Sequence, residues 1–285
     1  MIKGQIIKGV GGLYTVSTEN GLYTGNPRGL FRKSGTKVLV GDYVDISILD
    51  VDERECVIET IYPRDNELIR PKVVNVHQVV IVFALKEPKL NYDLLDRFII
   101  LAEEINLEII LCLNKIDLAK QKDIDEFCEV YGKLYKVIET STILESGLET
   151  LKNELKDKTT VFAGPSGVGK SSIVNKLLKK ELMETGIVSK KIGRGKHTTR
   201  HSEFITFENG YIVDTPGFTS LDIQHIDVND LKLYYKEFRE FNGLCKFQDC
   251  VHINEPSCAV KDEVGNIINV KRYDSYKYYY EGRLC

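Results

Sequence analysis

A chain of 285 residues, 42% hydrophobic and 28% charged, has the composition of an ordinary globular protein and a length that suits two or three domains. Its formal net charge of −3 excludes a global basic field, so any nucleic-acid surface has to be local. The longest apolar stretch, residues 79–85, is too short to span a bilayer, no signal peptide is read at Met1-Ile2-Lys3-Gly4, and seven cysteines without framework spacing point to a cytosolic, reducing compartment and no membrane partner.

Residues 1–68 carry short strand-like runs: Gln5-Ile6-Ile7, Leu13-Tyr14-Thr15-Val16, Lys37-Val38-Leu39-Val40, 43–49 and 56–61. Gly11-Gly12, Asn20-Gly21, Gly35 and Gly41-Asp42 punctuate them. Such a succession predicts a small closed β-barrel of the OB type. Arg28-Gly29-Leu30-Phe31-Arg32-Lys33 falls where a barrel loop would be. Its charge and aromatic ring suit single-stranded nucleic acid, the other reading being a solvated loop on a spacer domain. Pro63-Arg64-Asp65-Asn66 and Arg70-Pro71-Lys72 read as a linker.

From residue 69 strands and helices alternate, which predicts an α/β domain with a largely parallel sheet over 69–222. Residues 79–85 read as a buried strand, and Leu94, Leu95, Phe98, Ile99 and Ala102 recur at helical spacing. A second buried strand, 108–113, runs into Asn114-Lys115-Ile116-Asp117, at the place where open α/β sheets bind ligands. A carboxylate there accepts from guanine N1–H and N2–H₂, a donor pair adenine lacks, so Asp117 selects guanine while Asn114 is expected to tie this loop to the phosphate loop and the Lys115 stem to cover the base. A polar helix over 123–131 and a strand over 135–139 lead to Ser141-Thr142, also expected on the nucleotide, and a helix over 148–155 follows.

The strand Thr159-Thr160-Val161-Phe162-Ala163 then enters Gly164-Pro165-Ser166-Gly167-Val168-Gly169-Lys170-Ser171, which fits G-x-x-x-x-G-K-[ST] and opens a helix that starts with Ser172. Backbone N–H groups and the helix dipole there make an anion site. Lys170 is expected on the β- and γ-phosphates and Ser171 on Mg²⁺. Residues 181–202 read as a basic loop with Lys190, Lys191, Arg194, Lys196 and Arg200. Within it Thr198 and Thr199 stand where a threonine can close on Mg²⁺ and the γ-phosphate. The sequence does not choose between them, and Thr199 is grouped with Ser171 and Asp214 as the expected Mg²⁺ set. After a strand over 203–207, Tyr211-Ile212-Val213 runs into Asp214-Thr215-Pro216-Gly217, a D-x-x-G motif in which Asp214 would hold Mg²⁺ and the Gly217 N–H would sense the γ-phosphate. Phe218 follows, where many GTPases have a water-orienting glutamine, so unaided hydrolysis is expected to be slow.

The order of these motifs is unusual. The base-reading motif precedes the phosphate loop, which the same sheet allows if old termini are joined, here through Lys156-Asp157-Lys158, and the chain is reopened elsewhere. The new break falls just after Asp214–Gly217, so that switch runs into residues 223–285. There a helix is predicted over 230–241, followed by Cys245-x4-Cys250-x-His252-x5-Cys258, a closed set for one structural Zn²⁺. The final helix carries Tyr273, Tyr276, Tyr278, Tyr279 and Tyr280, which suit either RNA stacking or a packing face.

This motif order, Gly193-Arg194-Gly195-Lys196-His197-Thr198-Thr199, Asp214-Thr215-Pro216-Gly217-Phe218 and the Cys-Cys-His-Cys tail resemble the RsgA (YjeQ/YloQ) family over nearly the whole chain. The resemblance implies an N-terminal OB-type barrel, a circularly permuted GTPase domain and a zinc domain. It implies GTP hydrolysis to GDP stimulated by the small ribosomal subunit during its late maturation, with that subunit and its rRNA as partners and a monomeric chain. In the family the histidine before the paired threonines is a candidate for orienting water, here His197. The alternative is a GTP-dependent rRNA-binding checkpoint in which occupancy carries the function; a third reading, a P-loop kinase, is opposed by Asn114–Asp117 and Asp214–Gly217.

Overall fold

The computed structural model describes residues 1–29, 31, 35–69, 71–185, 203–214 and 222–282. The first five strands are β1 (Ile2–Val10), β2 (Leu13–Thr18), β3 (Gly21–Pro27), β4 (Tyr43–Asp50) and β5 (Glu55–Ile61). They pair in the order β1-β2-β3-β5-β4, and β4 returns to β1, so the sheet closes on itself. One pair, β3–β5, is parallel. This is the OB-type barrel expected, with Ile6, Val16, Val44, Ile46 and Ile58 fully buried.

One of its strands differs from the expectation. Lys37–Val40 contributes only a bridge from Val40 to Val73, because the Leu39 N–H is taken by the buried carboxylate of Asp42 at 2.7 Å. The third strand is Gly21–Pro27 instead. Its glycines and terminal proline hide it from a reading by β-branched residues. Gly25 is needed there, since a Cβ would stand 1.9 Å from the Cys56 carbonyl oxygen of the neighbouring strand. The stretch read as a linker is also built in. Arg64 donates to Asp42 at 2.7 Å, and a short hairpin of β6 (Glu67–Leu68) and β7 (Val73–Val74) follows.

The alternating part comprises β8 (Gln78–Ala84), α1 (Tyr92–Glu104), β9 (Glu108–Asn114), α2 (Gln121–Tyr131), β10 (Lys136–Thr140), α3 (Leu148–Leu155), β11 (Thr159–Ala163), α4 (Lys170–Thr185), β12 (Glu203–Phe207) and β13 (Gly210–Asp214). Strands β8 and β11 are buried at every position, as expected of strands covered on both faces. α1 starts where the Asn91 side chain accepts the Leu94 N–H at 3.1 Å. It stops at Asn106, whose left-handed backbone (φ 55) precedes a bond from the Leu107 N–H to the Ala102 carbonyl at 3.0 Å.

The chain forms two compact units. The first takes residues 1–78, 150–162 and 173–219. Its strands run β11-β13-β12-β1-β2-β3-β5-β4, and Lys8 of β1 pairs with Glu203 of β12 in register and by an ion pair of 2.9 Å. The second takes residues 79–149, 163–172 and 220–285 and includes β10-β9-β8, with β9 and β10 parallel.

The second unit also holds the C-terminal segment. The helix predicted over 230–241 is two 3₁₀ turns, Leu231–Tyr234 and Lys236–Phe241, separated by extended backbone at Tyr235. The buried residues Tyr235, Phe238 and Phe241 recur every third position, the period at which 3₁₀ side chains eclipse. A single turn at Ala259–Asp262 and the helix α5 (Val270–Tyr280) complete the segment. Of the α5 tyrosines, Tyr276 and Tyr279 are fully buried and Tyr273 nearly so, so this face packs and is not open to a base.

Candidate nucleotide site and metal centre

β9 ends at Asn114, which is buried with its side chain fixed at both ends. Its Nδ2 donates to the Val168 carbonyl of the phosphate loop at 2.8 Å. Its Oδ1 accepts the Thr140 hydroxyl at 3.0 Å, and Thr140 in turn lies 3.3 Å from Cys112 Sγ. The amide therefore presents its donor to the loop and no other orientation satisfies both bonds. Gly169 makes this approach possible. Its φ is +100°, and a Cβ there would stand 2.3 Å from Asn114 Nδ2.

After Asn114 the chain reverses. Lys115 takes left-handed backbone (φ 61) and begins a 3₁₀ turn at Ile116–Leu118. Asp117 Oδ1 accepts the Ser141 hydroxyl at 2.5 Å, and Ser141 Oγ itself accepts the N–H groups of Ile143 and Leu144 at 3.3 and 3.1 Å. Thr142, next in that turn, is half-buried. Lys115 Nζ donates to the Glu87 carbonyl at 2.5 Å.

The phosphate loop runs from Gly164 to Lys170, where α4 opens. Ser166, Gly167, Ser171 and Ser172 are exposed, Pro165 is half-buried and Val168 is buried. Lys170 Nζ folds onto the Gly164 and Pro165 carbonyls at 2.6 and 2.7 Å, and partial burial lowers its pKa. An anion arriving at this loop would meet an ammonium group held in place by neutral dipoles.

The residues expected to read the base, Asn114, Lys115, Ile116, Asp117 and Ser141, and the loop 164–170 thus lie in one unit, tied by side-chain bonds of Asn114, Lys115 and Asp117. Asp214 ends β13, its side chain lying outside what is described. His197, Thr198, Thr199, Gly217 and Phe218 lie outside the described residues, as do Leu30, Arg32 and Lys33. The sequence reading missed Thr140, Glu87 and Pro88, none of which belongs to a motif. Thr140 had one signal, its place directly before Ser141 at a strand end.

The second cluster is formed by Cys245, Cys250, His252 and Cys258, whose donor atoms all lie within 4.8 Å of one another. His252 Nδ1 is 3.6, 3.4 and 3.3 Å from the three sulfurs in chain order, and the Cys245 and Cys258 sulfurs are 3.9 Å apart. A tetrahedron with ordinary zinc bond lengths has S–S edges of about 3.8 Å and S–N edges of about 3.6 Å. The donor set and its spacing therefore fit one ion with no open position. Burial pushes the Cys250 thiol up to about 12, so a cation is what would favour the thiolate form.

The ligand-bearing loop is braced from outside. The Tyr273 and Tyr276 hydroxyls donate to the His252 and Val251 carbonyls at 2.7 and 2.5 Å. Glu255 accepts the Val251 and Ile253 N–H groups at 2.6 and 2.9 Å, and Lys232 donates to the Cys250 carbonyl at 2.9 Å.

Comparison with known proteins places these two clusters in context. The chain matches the RsgA GTPase family over residues 61–224 and the RsgA N-terminal domain over residues 3–58. It is 47% identical over 280 residues to the small ribosomal subunit biogenesis GTPase RsgA of Alkaliphilus metalliredigens, covering 97% of this chain and 96% of that one. To the RsgA of Clostridium perfringens it is 47% identical over 277 residues, 96% of each chain. Its fold is similar to the crystal structure of YjeQ from Thermotoga maritima, with a TM-score of 0.86, 36% identity and coverage of 98% and 97%. YloQ, described as a circularly permuted GTPase, gives a TM-score of 0.84 at 36% identity, covering 99% of this chain and 94% of its own.

Proposed function

The chain belongs to the RsgA GTPase family, and on that premise we propose that this GTP hydrolase binds the small ribosomal subunit and acts late in its maturation, converting GTP to GDP with stimulation by the subunit. The observation that carries the nucleotide half is the bond from Asn114 to the Val168 carbonyl at 2.8 Å, which locks a base-reading loop to a phosphate loop. The ribosomal half is supported by relatives named for small-subunit biogenesis.

In this reading Asp117 reads guanine, Asn114, Lys115, Ile116, Ser141 and Thr142 shape the base pocket, and residues 164–172 hold the phosphates. Ser171, Asp214 and Thr199 would hold Mg²⁺, which supplies charge neutralisation at the phosphates. The Cys245, Cys250, His252 and Cys258 set would hold one structural zinc. Phe218 stands where a glutamine would orient water, so His197 or the subunit supplies that group. The proposed domains are 1–68, 69–222 and 223–285. Among the described residues no helix is long and apolar enough to cross a membrane, and a cytoplasmic monomer is proposed.

The test is GTP turnover with and without purified small subunits. A marked rise is expected, and equal rates overturn the stimulated-hydrolysis reading. Phe218 also favours the checkpoint reading, in which occupancy acts and hydrolysis resets. Single-turnover maturation with a non-hydrolysable analogue separates the two: normal maturation and release with the analogue sinks the hydrolysis-dependent version. His197→Ala should lower stimulated turnover more than nucleotide affinity, and an equal loss of both would count against that role.

A further inference from the structure

Arg272, on α5, is fully buried. Its guanidinium donates from Nη1 to Asp96 of α1 and from Nε to Glu237, the latter at 2.7 Å. It lies over the rings of Tyr235 and Tyr131 at 4.7 and 5.5 Å, and Asp96 also accepts the Tyr131 hydroxyl at 3.0 Å. A planar cation held by two carboxylates between two rings is a geometry that lysine cannot reproduce. α5 takes a second grip on α1 where the Tyr279 hydroxyl donates to the Asp93 carboxylate at 2.7 Å. The first two turns of α1 are thereby fixed to α5.

The residues just ahead of α1 contact the candidate nucleotide site. The Glu87 carbonyl accepts from Lys115 Nζ at 2.5 Å, and Pro88 Cδ lies 3.8 Å from where a Cβ on Gly167 of the phosphate loop would stand. Glu87 and Lys115 both hold left-handed backbone, φ 54 and 61, which a non-glycine residue keeps only where its surroundings impose it. Only Lys89 and Leu90 separate Pro88 from Asn91, the cap of α1. With so short a connection, the place of α1 sets the place of the Glu87 carbonyl.

We propose that Arg272 is a positioning residue for nucleotide binding: by anchoring α1, the Arg272–Asp96–Glu237 cluster holds the turn at 86–90, and through it Lys115, in the geometry that receives the nucleotide. A partner that displaced α5 would loosen the nucleotide, and bound nucleotide would tighten the seat of α5 by the same factor. The proposal rests on the reading of Lys115 as a nucleotide contact.

The experiment is titration of N-methylanthraniloyl-GDP into the full chain and into Arg272→Lys, Tyr279→Phe, Lys115→Met and the Arg272→Lys/Lys115→Met pair, with circular dichroism and zinc content measured on each. Arg272→Lys and Tyr279→Phe are expected to weaken GDP binding by about 2- to 30-fold with the fold and zinc retained. The paired variant should bind no more weakly than Lys115→Met alone, because both changes act through one contact. A folded Arg272→Lys with unchanged affinity, or additive losses in the pair, overturns the proposal. Should Arg272→Lys fail to fold, Glu237→Gln, which takes one carboxylate charge from the cluster and keeps Arg272, replaces it, and unchanged affinity there overturns the proposal equally. Failure of the unmodified chain to bind GDP overturns the nucleotide reading and this proposal with it; binding by the unmodified chain with unaffected variants overturns this proposal alone.

Discussion

At the scale of single residues, the site is held by buried polar atoms, and Asn114 Nδ2 and Oδ1 each have one partner. Asp117→Asn removes an acceptor matched to guanine and should weaken GTP binding by about 1–3 kcal/mol, roughly 5- to 150-fold. Competition between GTP and ATP checks this, and unchanged discrimination refutes the role. Thr140→Val should leave Asn114 Oδ1 buried without its 3.0 Å donor, at about 1–3 kcal/mol. Urea unfolding would read that loss, together with weaker nucleotide binding as the Asn114 amide becomes free to turn away from Val168. The sequence displayed Asn114 and Asp117 because a motif is a fixed spacing along the chain. Thr140 was not legible, because its part depends on two parallel strands placing it beside Asn114, a neighbour 26 positions away. The buried Cys112 thiol, raised to about 12 by desolvation, should resist maleimide labelling in the folded chain; rapid native labelling would show that β9 opens.

At the scale of elements, the strands and helices of the α/β part were largely legible, because buried parallel strands read as continuous apolar runs and α1 repeats its apolar residues at helical spacing. Two elements were not. β3 owes its strand to the backbone approach at Gly25, which no propensity encodes. Residues 231–241 carry a three-residue rhythm that resembles a helix at its ends and differs in the middle, where Tyr235 must be extended to pack on Phe238, 5.3 Å between ring centroids. The Cys245, Cys250, His252 and Cys258 cluster was legible as spacing; the side chains that brace it, Tyr273, Tyr276 and Glu255, were not, since each reaches the loop through a backbone carbonyl or N–H. Cys258→Ser is expected to abolish stoichiometric zinc, read by elemental analysis. It should also lower the protection of residues 245–258 against hydrogen exchange, and a variant that keeps both would remove the metal from the account of this segment.

At the scale of the whole molecule, the loops at 114–117 and 164–170 and the C-terminal segment share one compact unit. Ile100 and Leu101 of α1 lie in the same apolar cluster as Ile223, Tyr235, Phe238 and Tyr276. Hydrogen exchange should therefore show α1, β9 and α5 opening together, with a common free energy; independent exchange of α5 would show that its seat on α1 is weak. The bond from Asn114 to Val168 spans 54 positions, and the one from Arg272 to Asp96 spans 176. On a translating ribosome the 114–117 loop, proposed to read guanine, is therefore made first, and it waits for the 164–170 loop proposed to hold the phosphates. Asp96 waits longer still for its cation, with the Tyr131 hydroxyl as its earlier partner, until Arg272 has left the exit tunnel. On the proposal that Arg272 positions the nucleotide site, a nascent chain reaches its full nucleotide affinity only after synthesis has passed Arg272, so firm binding becomes a sign that the polypeptide has been built that far.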